Sequence, residues 1–365
     1  MNFNFANIST LKTLNLKKGI WVILGGVSLI LRALADYSPH FVERFYSRGI
    51  FQFIRFLFDN SLGILPIPWI FFFYIAAFIA LISSFKPIFN KTLIWKQRLG
   101  KTAFSLLSLT GFLLFWFFTL WGYNYARPSF TQQMAIKIEN PDSLGIENEL
   151  KIATQEAIAA REILVETPLS IDDHFEDKTR QSVYNLLTLN GFPASKNLRG
   201  RSLQPNGILF GFGIAGIYMP FVGESNIDNG LHDLEKPFSM AHEMAHGYGW
   251  TDEATANFIA YLACTQSDDA LTRYSGYLMY FRYVASNYRR LNPEAYKQFR
   301  ETLPATLKAD LKAINLRQEQ FKTWFDTDSL NNLYLNWQGV QGGIVSYSRV
   351  VVLVYSWRQK NIRNL

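Results

Sequence analysis

Three apolar stretches dominate the first third of the chain, at about residues 19–35, 64–85 and 103–123, separated by short charged connectors. A helix needs roughly 20 apolar residues to cross a hydrocarbon core about 30 Å thick, and the second and third stretches supply them. The first is shorter and carries Arg32 near its end, where a long side chain can reach the headgroup region. A cleaved signal peptide is the competing expectation for it, because Lys12, Lys17 and Lys18 precede it. The residues after Ala35 are Asp36, Tyr37, Ser38 and Pro39, which do not form a small-x-small cleavage site, so a retained helix and three crossings are expected.

Past residue 126 the pattern becomes that of a globular body. Residues 143–165 place apolar side chains three and four apart with charges between them, which predicts an amphipathic helix. Residues 172–201 mix charge, Gly and Pro, with a short helix expected around 181–189. Residues 207–227 concentrate Gly, aromatic and branched residues and read as one or two strands with a turn. Helices are expected over 237–266 with a break at 247–249, then over 269–288, 293–303 and 304–323, and a final buried helix over 346–359. The expected fold class is therefore an α-helical membrane anchor with three spans, residues 1–126, followed by a mainly α (α+β) domain with a small sheet, residues 127–365.

Charge changes this picture in one respect. Residues 1–126 hold twelve Lys and Arg against Asp36, Glu43 and Asp59, a net of +9, and the remainder holds 24 basic and 26 acidic residues, a net of −2. The overall +7 thus belongs to the apolar third, and no nucleic-acid partner is implied. Lys12, Lys17 and Lys18 before the first span, with Lys86, Lys91, Lys96, Arg98 and Lys101 after the second, outnumber Arg44, Arg48 and Arg55 between them. By the positive-inside rule the tail and second connector face the cytoplasm, so the domain after Arg127 is expected on the outer side of the membrane. The single cysteine, Cys264, excludes an internal disulfide framework and reads as a buried small hydrophobe.

The chemistry-bearing stretch is residues 235–264, with His242, Glu243 and His246 in the order H-E-x-x-H. On a helix, positions four apart share a face, so two imidazoles can grip one zinc ion while the adjacent Glu243 acts as general base. Pro237 suits a first helical turn, and Gly247 and Gly249 suit its end. A catalytic zinc takes three protein ligands and leaves one position open. Two carboxylates are close enough in sequence to be the third ligand. Asp252 completes a spacing similar to that of the metzincins, with Asp in place of the third His. Glu253 begins E-x-x-x-N with Asn257, similar to the second helix of the gluzincins, where a Glu binds zinc and a residue one turn on supports a ligand His. Glu253 is preferred and Asp252 is the alternative; either could instead serve only to stabilise the N-terminus of its helix. The spacing Gly211, Gly213, Gly216 fits a dinucleotide fingerprint, but another extended stretch follows it, so a Gly-rich strand or hairpin is expected.

Beyond these motifs the sequence resembles a bacterial domain-of-unknown-function family of membrane-anchored, zincin-like proteins of gluzincin type. The similarity is carried by Ile217, Tyr218, Pro220, Phe221, Gly223 and Glu224, by Pro237 and Phe238 ahead of the H-E-x-x-H residues, and by Glu253, Ala256, Asn257, Phe258, Ala260, Tyr261, Leu262, Ala263 and Cys264. Ser346, Tyr347, Arg349, Val350 and Val351 extend it; Thr255 departs from it, where a second acid is expected. The resemblance implies zinc-dependent, peptidase-like chemistry and, with the orientation above, a bacterial inner membrane with the C-terminal domain on its outer, periplasmic side. The expectation is a zinc metallopeptidase with ligands His242, His246 and Glu253, Glu243 as base, and Tyr347 as an oxyanion donor alongside the other candidates Arg349, Tyr248 and His232. Its partners would be the lipid bilayer and a peptide or protein substrate held along residues 213–221. The rival expectation is a non-catalytic envelope sensor or scaffold with a structural zinc or none.

Overall fold

The computed structural model describes residues 5–164, 169–321 and 349–363. The chain opens with α1 (Phe5–Ala35), followed through a π-helical stretch, Val42–Ile50, by α2 (Phe51–Asp59), then α3 (Trp69–Ser84) and α4 (Trp95–Leu120). Three helices are long and apolar enough to cross a membrane, over Lys18–Ala35, Trp69–Phe89 and Trp95–Leu120. The second of these starts at Trp69 rather than at residue 64 because Pro66 and Pro68 each lack the N–H that a continuous helix needs. The third starts eight residues earlier than the apolar pattern, since Lys96, Arg98 and Lys101 ride on the first turns of α4. Arg32 pairs with Asp36 one turn on, at the polar end of α1. The connector before α3, which the pattern left without structure, is largely helical.

Two compact units emerge. One comprises Met1–Ile54, Pro66–Arg127 and Pro220–Val222. In it α1 and α4 approach until backbones touch: a Cβ on Gly25 would lie 2.5 Å from the Cα of Gly111, the close packing that small residues allow between membrane helices.

The other unit comprises Arg55–Leu65, Pro128–Met219 and Gly223–Leu365. Its elements run α5 (Ser143–Glu162), α6 (Phe175–Leu189), β1 (Gly200–Leu203), β2 (Gly216–Met219), β3 (Glu224–Asp228), α7 (Lys236–Gly247), α8 (Glu253–Thr265), α9 (Ala270–Leu291), α10 (Pro293–Thr302), α11 (Ala305–Glu319) and α12 (Arg349–Arg363). Helix α8 is the axis of the core, with every residue from Ala254 to Cys264 buried. Leu150 and Ala157 of α5, Tyr274 and Phe281 of α9 and Val350 and Val354 of α12 belong to the same apolar cluster. Each large side chain so buried stabilises the fold by about 1.5–3 kcal/mol before entropy is charged against it. One polar knot locks α12 in place: Arg358 pairs with Glu149 at 3.1 Å and Glu156 at 2.6 Å, and donates to Tyr261 Oη at 2.8 Å. Burial pushes the Glu149 carboxyl up, against the pull of Arg358.

The sheet has the order β1-β3-β2, with β1 parallel and β2 antiparallel to β3. Strand β1 had no apolar alternation to announce it. Central β3 is wholly buried although its sequence is Glu-Ser-Asn-Ile-Asp. Its polar groups are satisfied individually: Glu224 pairs with Arg201 at 2.7 Å, and Ser225 Oγ donates to the carbonyl of Glu243 at 2.9 Å. Asp228 accepts the N–H groups of Gly207, Leu209 and Gly230 at 2.6–2.7 Å, which fixes the loop ahead of β2. Within that loop Phe210–Phe212 forms a 3₁₀ turn and Gly213 is left-handed. A strand follows Gly216, so the dinucleotide spacing is coincidental.

Candidate metal centre

Helix α7 carries His242 and His246 on one face, and Glu253 opens α8. The two helices are joined by a tight turn in which Gly249 adopts φ 85°, a conformation that L side chains rarely take. The turn returns the carbonyl of Trp250 to the ring of His246, 2.6 Å from Nδ1. It also places Asp252 as N-cap of α8, its Oδ2 accepting the N–H and the hydroxyl of Thr255, both at 2.8 Å, while Oδ1 meets Arg349 at 3.2 Å. Asp252 is thereby occupied. The next residue, Glu253, sends its carboxylate to the imidazoles.

The three side chains converge. His242 Nε2 and His246 Nε2 are 3.1 Å apart; Glu253 Oε2 is 3.1 Å from the first and Oε1 is 3.6 Å from the second. These residues form a group that could hold a metal ion, each offering one ligand atom with all three atoms within 4.8 Å of one another. Both Nδ1 atoms are spoken for by oxygens: Trp250 O, and Asn257 Oδ1 at 2.9 Å from His242. An oxygen acceptor fixes the proton on Nδ1, so in the neutral rings both Nε2 atoms present lone pairs. Three acceptors facing one point repel unless a proton or a cation lies among them. Ligand atoms at about 2.0–2.2 Å from a tetrahedral zinc stand roughly 3.3 Å apart, and the observed separations lie on either side of that value.

A proton on His246 can fill this role. Burial opposes charge on His246, but the Glu253 carboxylate outweighs it and raises the imidazole to about 9. Burial would raise Glu253, yet the two imidazoles hold it well below the usual carboxylate range.

Glu243 lies beside the triad, buried, with its side chain against β2. A Cβ added to Gly216 would fall 2.6 Å from Glu243 Oε1, so only glycine admits the carboxylate at this place. Burial pushes Glu243 up, while the neighbouring imidazoles and a hydrogen bond from the Tyr218 N–H pull it down. Asp228 N–H bonds the carbonyl of Ala215. In an antiparallel ladder the bonded pairs alternate, so Gly216 and Tyr218 turn their backbone groups away from β3 toward the outer edge, the edge that meets Glu243.

Of the remaining candidates, Tyr347 lies outside the described residues. Tyr248 is buried and donates to the carbonyl of Ser195 at 2.7 Å, and His232 Nδ1 accepts from the N–H of Leu234 at 3.2 Å. Arg349 is paired with Asp252. Cys264 is buried and free, its thiol pushed up by burial alone. Sequence reasoning missed Tyr283 of α9, whose hydroxyl donates to Asn257 Oδ1 at 3.2 Å; nothing in its surroundings marks it.

The site therefore defines a helix pair presenting two imidazoles and a carboxylate to one point, with a second carboxylate alongside and, next to it, β2, an edge strand of the sheet among the described residues. The family model for a protein of unknown function, DUF3810, matches residues 46–355, and the chain belongs to that family. No curated protein and no solved structure matches the chain.

Proposed function

We propose that this protein is a membrane-anchored, zinc-dependent metallopeptidase. The observation that carries the reading is the convergence of His242 Nε2, His246 Nε2 and the Glu253 carboxylate at 3.1–3.6 Å with both Nδ1 atoms anchored on oxygens. Two imidazoles and one carboxylate are a donor set that zinc accepts with a position left open. When bound, zinc supplies a Lewis acid that lowers the pKa of a water toward about 7 and polarises a scissile carbonyl.

The chain's own groups do the rest. His242 and His246 are held in one tautomer by Asn257 and by the Trp250 carbonyl, which keeps their lone pairs aimed. Glu243, with a pKa raised by burial, takes a proton from the attacking water and passes it to the departing amine. The outer edge of β2 at Gly216 receives an extended peptide by backbone hydrogen bonds, and its position beside Glu243 sets the scissile bond against the base.

The lysine and arginine distribution supports an outer location for the catalytic domain. Part of the segment between the first two spans, Arg55–Leu65, groups with that domain, as three crossings require, since the two crossings that separate them return the chain to the same side.

The test is metal analysis of the purified full-length protein, followed by a peptide-library digestion read by mass spectrometry with wild type and Glu243→Gln. The reading expects about one zinc per chain in both proteins, and cleavage that falls by about 10²–10⁴-fold in the variant. Zinc in both with cleavage by neither would instead indicate a scaffold with a structural metal.

A further inference from the structure

Tyr218, whose N–H meets Glu243, is gripped at its other end by a residue far upstream. Arg55 Nη1 donates to Tyr218 Oη at 3.1 Å and Arg55 Nη2 donates to the Gly223 carbonyl at 2.9 Å, so one buried guanidinium holds both arms of the β2–β3 hairpin. Asp59, one turn on, pairs with the same guanidinium. Further along, Arg201 Nη2 of β1 donates to the Leu65 carbonyl at 2.6 Å. All these residues lie in the second unit, where Arg55–Leu65 acts as a brace for the sheet.

The brace has two unlike sides. Arg55 and Asp59 are buried, whereas Phe56, Leu57, Ile64 and Leu65 are 59%, 49%, 69% and 44% exposed. Four large apolar side chains exposed within so short a stretch are the pattern of a segment lying at the headgroup boundary. The chain itself says what covers them. Trp69 begins a helix apolar enough to cross a membrane, and the four residues from Leu65 to Trp69 reach at most roughly 14 Å. The tip of the hairpin tells the same story. Pro220–Val222 groups with the spans, where the Phe221 ring stacks on Phe73 of α3 at 4.5 Å and 13°. Phe221 is three residues, at most roughly 10 Å, from Tyr218.

We infer that Arg55–Leu65 lies in the bilayer interface and holds the outer edge of β2 at the membrane surface, so that the substrates are polypeptide segments at that surface, the juxtamembrane stretches of anchored proteins. The bilayer seating stands by itself; the substrate class rests on the peptidase reading above.

The experiment has two arms in phosphatidylethanolamine and phosphatidylglycerol vesicles carrying the full chain. A nitroxide on Leu57→Cys, with buried Cys264 silent, is compared with one on exposed Asn185→Cys by power saturation with oxygen and an aqueous nickel complex. The expected result is oxygen dominance at 57 and nickel dominance at 185. Nickel dominance at 57 overturns the inference.

In the second arm a degenerate decapeptide library is tethered to a diacyl lipid through a Gly/Ser spacer of about 6 or about 60 residues, the longer averaging roughly 40 Å between its ends. The short tether is expected to be cut at least about tenfold faster, since effective concentration falls steeply with spacer length. Equal cutting, or faster cutting of the long tether, overturns the substrate class while leaving a peptidase, and the bilayer seating is decided by the first arm alone. Interfacial depth at 57 with neither library cut overturns the peptidase reading and the substrate class with it, and the bilayer seating stands.

Discussion

Glu253 Oε2 lies 3.1 Å from His242 Nε2, while its neighbour Asp252 spends its own carboxylate on the N–H of Thr255 at 2.8 Å. The two acids are adjacent in sequence and opposite in role, because the first sits at the N-cap of α8 and the second on its first turn. The expected consequence is a clean separation. Asp252→Ala should lower stability by about 0.5–2 kcal/mol, the usual cost of a lost N-cap, with metal affinity nearly unchanged. Glu253→Ala should reduce metal affinity by more than the 10–100-fold typical of supporting residues. Competitive chelator titration and thermal melts of both variants check this, and the reverse pattern would show that the cap and the ligand had been interchanged.

Asn257 holds the Nδ1 proton of His242 and is itself held by Tyr283. Asn257→Ala should cost about 10–100-fold in metal affinity. Tyr283→Phe removes a hydrogen bond one step further out and should cost less, in the same direction. A loss in Tyr283→Phe as large as that in Asn257→Ala would mean that the hydroxyl acts at the site directly.

Gly216→Ala tests the seat of the base. The added methyl meets Glu243 Oε1, so the carboxylate must move by about an ångström. A displacement of that size can cost about 10²-fold in turnover while the three metal-binding side chains stay put. Cleavage rate should therefore fall with metal content preserved, and a variant that kept full activity would remove Glu243 from its assigned position.

The metal-free site should respond to pH from both sides. His246 is raised from 6.5 to about 9, so its contribution is present in full below pH 6.5 and is lost as pH rises through about 9. Glu253 is lowered from 4.5, so its contribution is present above pH 4.5 and is lost as pH falls into the strongly acid range. Denaturant midpoints of the chelated protein should be highest between those limits and decline toward pH 9. Metal should abolish the alkaline decline. Binding at pH 7 should also release about one proton, because the metal displaces it from His246. Calorimetry in buffers of different ionisation enthalpy measures this release, and the absence of any buffer dependence would sink the assignment.

Much of this molecule was legible from one chain of letters. The apolar runs declared three helices long enough for a bilayer, because composition and length alone decide that property. The helix α7, its stop at Gly249 and the four-residue spacing of His242 and His246 followed from local rules, since residues four apart share a face in any helix. Asn257 was readable for the same reason, one turn beyond Glu253.

Tertiary structure decided the rest. Which of two neighbouring acids reached the imidazoles depended on how the turn after Gly249 delivered α8, a matter of a few backbone angles that composition does not encode. Strand β1 escaped notice, and the complete burial of β3 was not legible, because its polar side chains are matched to partners as distant as Arg201 and the Gly207 N–H, and hydropathy cannot register a polar group that is satisfied only after folding. Arg55 looked like a connector charge beside a membrane span. Only the packed chain joins it to Tyr218, 163 positions later, since contacts of that separation are set by the global arrangement of elements and leave no periodic trace in the sequence.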